Sequence, residues 1–437
     1  MAKKDAKPKK SGSVLLRLGM LFYFLAFLLL GLRDGDTIIN AEKTVHVLIF
    51  HLPDGAWLAY SLALIVPILI ALTVRALPKL FSGDPLLLTL TSFLCCLGIL
   101  VLFRLDHEKG LTQAAYYLIG MFAMLCVTQF VRLIRHWAFP VFLMFGASIV
   151  LLLLPIVMGT EKNGAKNWVT IAGFGFQPSE LVKLSLLVIL SYCLSRRKLI
   201  YAILFTGMAL ILLMLQKDLG TALLYYGAAL VLLYASTGSM LLVGTGILGG
   251  AAASVIGYNM FAHVRKRIAI WIDPWTDYQG AGYQIVKGLI AIANGGLLGV
   301  GLGCGNASEI PEAYNDYIFP VILHEFGAVF GVLVLLIYLI IVLRAVSVAR
   351  RADDAFHALL PLGCAALLAL QVFVIVGGNL KLIPLTGVTL PFVSYGGTSL
   401  VSSLCVIGLI QGVEAYEDMR VKEDKRLAMY DREEADE

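Results

Sequence analysis

Apolar residues in this chain come in long uninterrupted runs, not in the short periodic alternation of half-buried helices or strands. Runs of about 17–25 residues suffice to cross a bilayer as helices. They fall near residues 14–32, 56–77, 85–103, 112–133, 137–158, 179–195, 198–216, 218–235, 239–260, 318–343, 356–378 and 393–414. The pattern predicts an all-α polytopic membrane protein of about 12 transmembrane helices. An even number of crossings puts both termini on one side. Residues 1–13 read as a basic arm, with Lys3, Lys4, Lys7, Lys9 and Lys10. Such an arm also opens a secretory signal, but the first run exceeds the usual apolar region of about 7–15 residues and no small-residue cleavage site follows, so the first helix is read as retained. Residues 415–437 read as a solvated, frayed or helical tail of mixed charge.

The connections differ in charge and length. With the N-terminus taken as cytoplasmic, 21 of the 34 Lys and Arg fall on its side and 12 on the other, with Lys183 inside a span. Positive loops resist translocation, so both termini are read as cytoplasmic. Four of the 12 are Arg265, Lys266, Arg267 and Lys287, all in the 57-residue stretch 261–317. Long segments cross regardless of charge, and a stretch of this length is too long for a mere connector. It reads as a large outer loop that uses positive charge, which places function on the outer face.

Composition agrees: 59% hydrophobic and 14% charged residues exclude an ordinary soluble chain. The net charge of +5 lies in interhelical segments and not in a stripe interleaved with aromatics, so nucleic acid is not an expected partner. Six of the seven cysteines sit in apolar runs and the seven histidines form no HxxxH or HxH pair, so no disulfide framework or metal site is expected. Gly-x-Ser-x-Gly is also absent.

Ionisable groups in or beside spans are costly and mark candidate chemistry. Glu180 and Lys183 are three apart on one predicted helix face, placed either to neutralise each other at a helix start or to bind a charged substrate. Asp218, next to Lys217, is placed either to cap the helix beginning at Leu219 or to contact substrate. Asp316 leads into the span at Ile318 and reads equally as a helix cap or as a partly desolvated carboxylate suited to general-base work. Arg265, Lys266 and Arg267 suit an anionic head group, a diphosphate leaving group or membrane lipid. The Gly-rich run 295–303 matches no phosphate fingerprint and predicts tight turns. Residues 384–399 bring two prolines and three glycines to membrane depth, which predicts a cavity wall or simple kinking.

Four blocks carry a resemblance to a known family. They are residues 163–168 continuing to Gln177-Pro178-Ser179-Glu180 and Lys183; Gln216-Lys217-Asp218-Leu219-Gly220-Thr221; the loop block from Arg267 through Asp273-Pro274 and residues 280–284 to Pro311-Glu312 and Asp316-Tyr317-Ile318-Phe319; and residues 384–399. In order and spacing the chain resembles the SEDS proteins (shape, elongation, division and sporulation), which include RodA, FtsW and SpoVE. The resemblance covers about residues 85–415. It implies a ten-helix core at 85–414 containing the outer loop, preceded by two additional helices within 14–84. It also implies a peptidoglycan glycosyltransferase polymerising lipid II on the outer face of the cytoplasmic membrane, alongside a class B penicillin-binding protein.

By the same resemblance Asp316 is the catalytic base. Glu180, Lys183, Gln177, Trp168, Lys166, Arg265, Arg267, Asp218, Glu325 and Ser394 are the expected substrate-binding residues, with Arg267, and Arg265 beside it, near the diphosphate. A divalent cation, Mg or Mn, would assist the leaving group, although no ligand set for it is encoded. Two departures stand out: Gln216-Lys217-Asp218 replaces the family's usual Gln-Pro-Asp, and Glu325-Phe326 replaces a Glu-Glu pair. A lipid II flippase is the competing reading, because a twelve-span bundle with a polar cavity also suits transport.

Overall fold

The computed structural model describes residues 11–33, 40–48, 50–80, 83–162, 165–171 and 174–436. Most of the basic arm, residues 1–10, lies outside the described residues. Every predicted span is a helix: α1 (Ser11–Arg33), α2 (Ala56–Leu80), α3 (Pro85–Leu105), α4 (His107–Leu133), α5 (Ala138–Met158), α6 (Pro178–Ser195), α7 (Leu199–Leu215), α8 (Leu219–Thr237), α9 (Met240–Met260), α12 (Ile318–Ala349), α13 (Ala355–Asn379) and α14 (Gly397–Asp436). Two shorter helices, α10 (Ala262–Ile272) and α11 (Tyr283–Gly295), lie in the 261–317 stretch. Among the described residues, eleven helices are long and apolar enough to cross a membrane, and α7, with 17 residues, falls just short. The protein is a multi-pass membrane protein.

Helix ends follow the local chemistry. Asp84 caps α3 by accepting from Leu86 N at 2.9 Å, with Pro85 at the first helical position. Asp106 ends α3 and caps α4, so one residue makes the turn between two spans. The α3 helix is enclosed along most of its length, whereas α9 has no buried residue. The α1–α2 pair packs on this centre: Tyr23 donates to Phe93 O at 2.6 Å, and the Phe22 ring stacks on Phe330 of α12 at 6.0 Å.

Three features were not in the sequence reading. The connection after α1 forms a hairpin of β1 (Asn40–Val47) and β2 (Phe50–Asp54), and that after α5 forms an antiparallel sheet of β3 (Thr160–Lys162), β4 (Ala165–Ile171) and β5 (Phe174–Phe176). Further, α12 is broken at Gly327, with φ 84° and ψ 170°. The Gly-rich run supplies the turns expected of it and also repairs this break. Val300 N and Gly301 N donate to the carbonyls of His324 and Glu325, both at 3.0 Å, while Gly296 O accepts from Ala328 N at 2.9 Å. A β-carbon on Gly327 would sit 2.3 Å from Leu297 O, so the close approach requires glycine.

Candidate active site

A cavity of about 480 Å³ opens where the N-terminal ends of α6 and α8 meet β4, α10, the residues before α12 and the 384–399 segment. Trp168, Gln177, Glu180, Lys183, Asp218, Arg267 and Asp316 all line it. Glu180 and Lys183 pair directly, one turn apart on α6, and Glu180 Oε2 also accepts from Ser402 Oγ at 2.6 Å. Asp218 lines the cavity and takes the capping role, one of the two left open by the sequence. Its Oδ1 accepts from Thr221 N at 3.1 Å and caps α8, and its Oδ2 accepts from Gln177 Nε2 at 2.8 Å, Asn167 Nδ2 at 3.1 Å and Ser179 Oγ at 3.4 Å. Lys217, preceding it, has φ 60°, a conformation closed to the proline usual in the resembling family.

Asp316 does not cap α12. Tyr317 is the N-cap residue and makes no side-chain cap bond. The Asp316 carboxyl instead borders the cavity, with Oδ2 3.7 Å from where a β-carbon on Gly387 would lie. Burial, then repulsion from Glu312, pushes its pKa from the ordinary 3.8 up to about 7, against the pull of Arg267. Arg267 Nη1 donates to Thr386 O at 3.2 Å and Leu385 O at 3.5 Å, and Trp271 Nε1 donates to Lys381 O at 3.0 Å, so two side chains pin α10 to the cavity wall. Positive potential is felt nearby: partial burial and the Arg267 and Lys217 cations hold His263 below its usual pKa.

Four expected binding residues lie elsewhere. Lys166 donates through Nζ to Ile156 O at 3.1 Å, and Arg265 through Nη1 to Asn259 O at 2.7 Å, each satisfying a carbonyl at a helix C-terminus. Glu325, 1% exposed, faces Arg104 Nε at 2.9 Å and accepts from Gly303 N at 3.3 Å, while Arg104 Nη2 donates to Gly305 O at 2.6 Å. This buried pair ties the 303–305 turn to α3 and α12. Ser394, 3% exposed, accepts from Leu390 N at 2.9 Å and donates to Asn315 O at 2.7 Å, bracing the backbone next to Asp316.

The sequence reading missed Gln371, which lines the cavity and donates to Thr389 O at 2.9 Å, and Gln113, which is fully buried and donates to Ser394 O at 3.0 Å. A lone glutamine in an apolar span is the signal that an ionisable-only filter overlooks. Two of the four carboxylates lining the cavity are already engaged. Asp218 is saturated by donors, Glu180 is paired, and no group of three or more His, Cys, Asp or Glu able to hold a metal occurs among the described residues.

The fold and cavity define a polytopic membrane protein that gathers carboxylates and cations in one polar chamber beneath a structured loop. The family model for FtsW, RodA and SpoVE, described as cell cycle protein, matches residues 85–419, and the chain belongs to this family. It is 34% identical over 360 residues to the peptidoglycan glycosyltransferase RodA of Mycobacterium tuberculosis, covering 75% of this chain and 77% of that one. Stage V sporulation protein E of Bacillus subtilis is 31% identical over 365 residues, covering 77% and 98%. Among solved structures, one described as structural coordination of polymerization and crosslinking by a peptidoglycan synthase complex matches with TM-score 0.64 and 29% identity, covering 77% of this chain and 98% of that one. The rod shape determining protein RodA of Thermus thermophilus matches with TM-score 0.58 and 28% identity, covering 77% and 98%. Residues 1–84, with α1 and α2, precede the family match.

Proposed function

We propose that this chain is a peptidoglycan glycosyltransferase that polymerises lipid II on the outer face of the cytoplasmic membrane, with both termini cytoplasmic. The observation that carries the reading is the Asp316 carboxyl, held near pKa 7 in the same cavity as Arg267 and the Glu180–Lys183 pair. A base with a pKa near the working pH is the most effective proton acceptor. Asp316 takes the proton from the 4-hydroxyl of the acceptor's GlcNAc as that oxygen attacks the donor's anomeric carbon. The bond to the diphosphate breaks, its electron pair leaves with undecaprenyl diphosphate, and the configuration inverts.

Arg267 supports the leaving group in this reading. Its contacts to the 385–386 carbonyls use one nitrogen and orient the guanidinium, which carries five N–H donors in a fixed fork. The Glu180–Lys183 pair gives the sugar and peptide hydroxyls, carbonyls and amides a polar wall that carries no net charge. A class B penicillin-binding protein is the proposed partner, consistent with the matched synthase complex, and α1 and α2 offer it additional surface. No step is assigned to a divalent cation.

The test is glycan-chain formation from labelled lipid II by the purified chain, with and without a cognate class B penicillin-binding protein, comparing wild type with Asp316→Asn. Polymer from wild type alone is expected. Lipid II binding without polymer from either form, partner present, would sink the enzyme reading and favour transport. Equal polymer from both forms would remove Asp316 from its role.

A further inference from the structure

At the end of the bundle opposite Asp316, a second cavity of about 630 Å³ opens between the C-terminal ends of α4 and α6, the N-terminal ends of α5 and α13, and α14. Arg135, His136 and Arg196 stand exposed on its rim. Trp137 and His357 border it from within, 6% and 5% exposed. The Trp137 Nε1 and His357 Nε2 atoms are buried without a hydrogen-bond partner among the described residues. Buried polar atoms are nearly always satisfied, by protein, water or ligand. Trp137 is also the N-cap residue of the 21-residue helix α5 and gives it no side-chain cap, so the first N–H groups of α5 add to the donors at this end.

The acidic groups nearby are largely engaged. Asp354 is the one carboxylate lining the cavity; its Oδ2 accepts from Phe356 N and faces His357 Nδ1, both at 3.2 Å. Asp353 pairs with Arg420 at 2.8 Å, and Glu423 approaches Arg135 only to 3.9 Å, with both side chains exposed. Arg196 lies over the Tyr192 ring at 5.8 Å. Two exposed guanidinium groups and the Trp137 ring, with its unpartnered N–H just behind the wall, therefore border one cavity lined by aromatic side chains.

We propose that this cavity binds a phosphate group, with Arg135 and Arg196 supplying charge and Trp137 Nε1 a directional donor. The group belongs either to an anionic phospholipid head or to a soluble phosphate. On the orientation proposed above the cavity faces the cytoplasmic leaflet, where anionic lipids and interfacial Arg and Trp residues meet. The α6 and α13 helices run from this cavity to the first one, where they carry Lys183 and Gln371, so a ligand here braces the helices that shape the catalytic chamber.

Native mass spectrometry of the delipidated full chain in detergent, with no lipid II present, tests the site by retention of phosphatidylglycerol, phosphatidylcholine or inorganic phosphate. Wild type should retain phosphatidylglycerol over phosphatidylcholine. Arg135→Gln with Arg196→Gln should weaken retention about 25-fold, roughly fivefold per cation. Trp137→Phe keeps the ring and should weaken it about tenfold by removing the donor. Retention of inorganic phosphate but not phosphatidylglycerol, lost in the same variants, assigns the soluble source. No retention of either, or retention equal in wild type and variants with unchanged melting temperature, overturns the proposal and leaves the polymerase reading untouched.

Discussion

Removing the charge of Glu312 should move the acid side of the polymerisation profile to lower pH. Asp316 is lifted from 3.8 to about 7 by burial first and Glu312 second, with Arg267 pulling the other way. Glu312→Gln deletes the second contribution and leaves the first. The hydrogen bond that Asn315 Nδ2 donates to Glu312 Oε2 at 2.6 Å keeps an acceptor, because the amide oxygen of glutamine also accepts, though more weakly than a carboxylate. A like charge beside a desolvated carboxyl is worth about one pKa unit, or roughly 1.4 kcal/mol. The sign follows from the mechanism. The base works as the carboxylate, so rate is lost as pH falls through its pKa, and a lower pKa keeps the rate to lower pH.

With a midpoint of about 7, wild type at pH 6 holds about a tenth of Asp316 ionised. With a midpoint of about 6, the variant holds about half, so its rate at pH 6, relative to its own plateau, should be about fivefold higher. A weaker base also lowers the plateau, which is why normalised profiles are compared. The assay is initial rate of glycan-chain formation from labelled lipid II between pH 5 and 8.5, with Arg267→Gln as the opposite case, expected to move the midpoint upward. A wild-type midpoint near 4, or identical midpoints in wild type and Glu312→Gln, would refute the link between this cavity and the base.

The remaining predictions follow from side chains that brace the chamber. Ser394→Ala leaves Leu390 N and Asn315 O unpaired and should cost about 1–3 kcal/mol, lowering the melting temperature and kcat with KM retained; a raised KM alone would return Ser394 to substrate binding. Lys217→Pro cannot keep φ 60° and should cost about 1–3 kcal/mol with loss of activity, whereas Lys217→Gly should melt like wild type; equal melting of the proline variant would contradict the observed turn. Glu325→Gln leaves Arg104 buried and unpaired, at about 3–5 kcal/mol, so yield and melting temperature should fall while the folded fraction binds lipid II with unchanged Kd. An altered Kd would place Glu325 at the substrate.

The spans were legible because a bilayer dictates their length and leaves no alternation to interpret. The short strands at 40–54 and 160–176 were not, since their pairing lies in backbone bonds between polar connectors. The break in α12 was hidden for a different reason. Phe326-Gly327-Ala328 sits inside a predominantly apolar span, and the carbonyls of His324 and Glu325 that it frees are met by the N–H groups of Val300 and Gly301, each 24 residues earlier in the chain. In the site, Glu180, Lys183, Asp218, Arg267 and Asp316 were found through charge at span borders. The same signal drew in Lys166 and Arg265, because a cation near a membrane surface serves a helix end as readily as a substrate.

What separates Asp316 from the other acidic groups is the state of their neutralisation. Asp218 accepts four hydrogen bonds, Glu180 is paired with Lys183, Glu325 with Arg104, and Asp84 with Arg344. Each is held in its ionised form by those partners, which lowers its affinity for a proton. No hydrogen bond or ion pair engages the Asp316 carboxylate among the described residues, and its two charged influences, Glu312 and Arg267, oppose each other. Burial therefore decides its proton affinity, and burial changes when substrate fills the cavity. Substrate that excludes solvent from Asp316 without replacing its hydrogen bonds raises the basicity of the group that must take the proton, whereas the engaged carboxylates around it hold the chamber's shape.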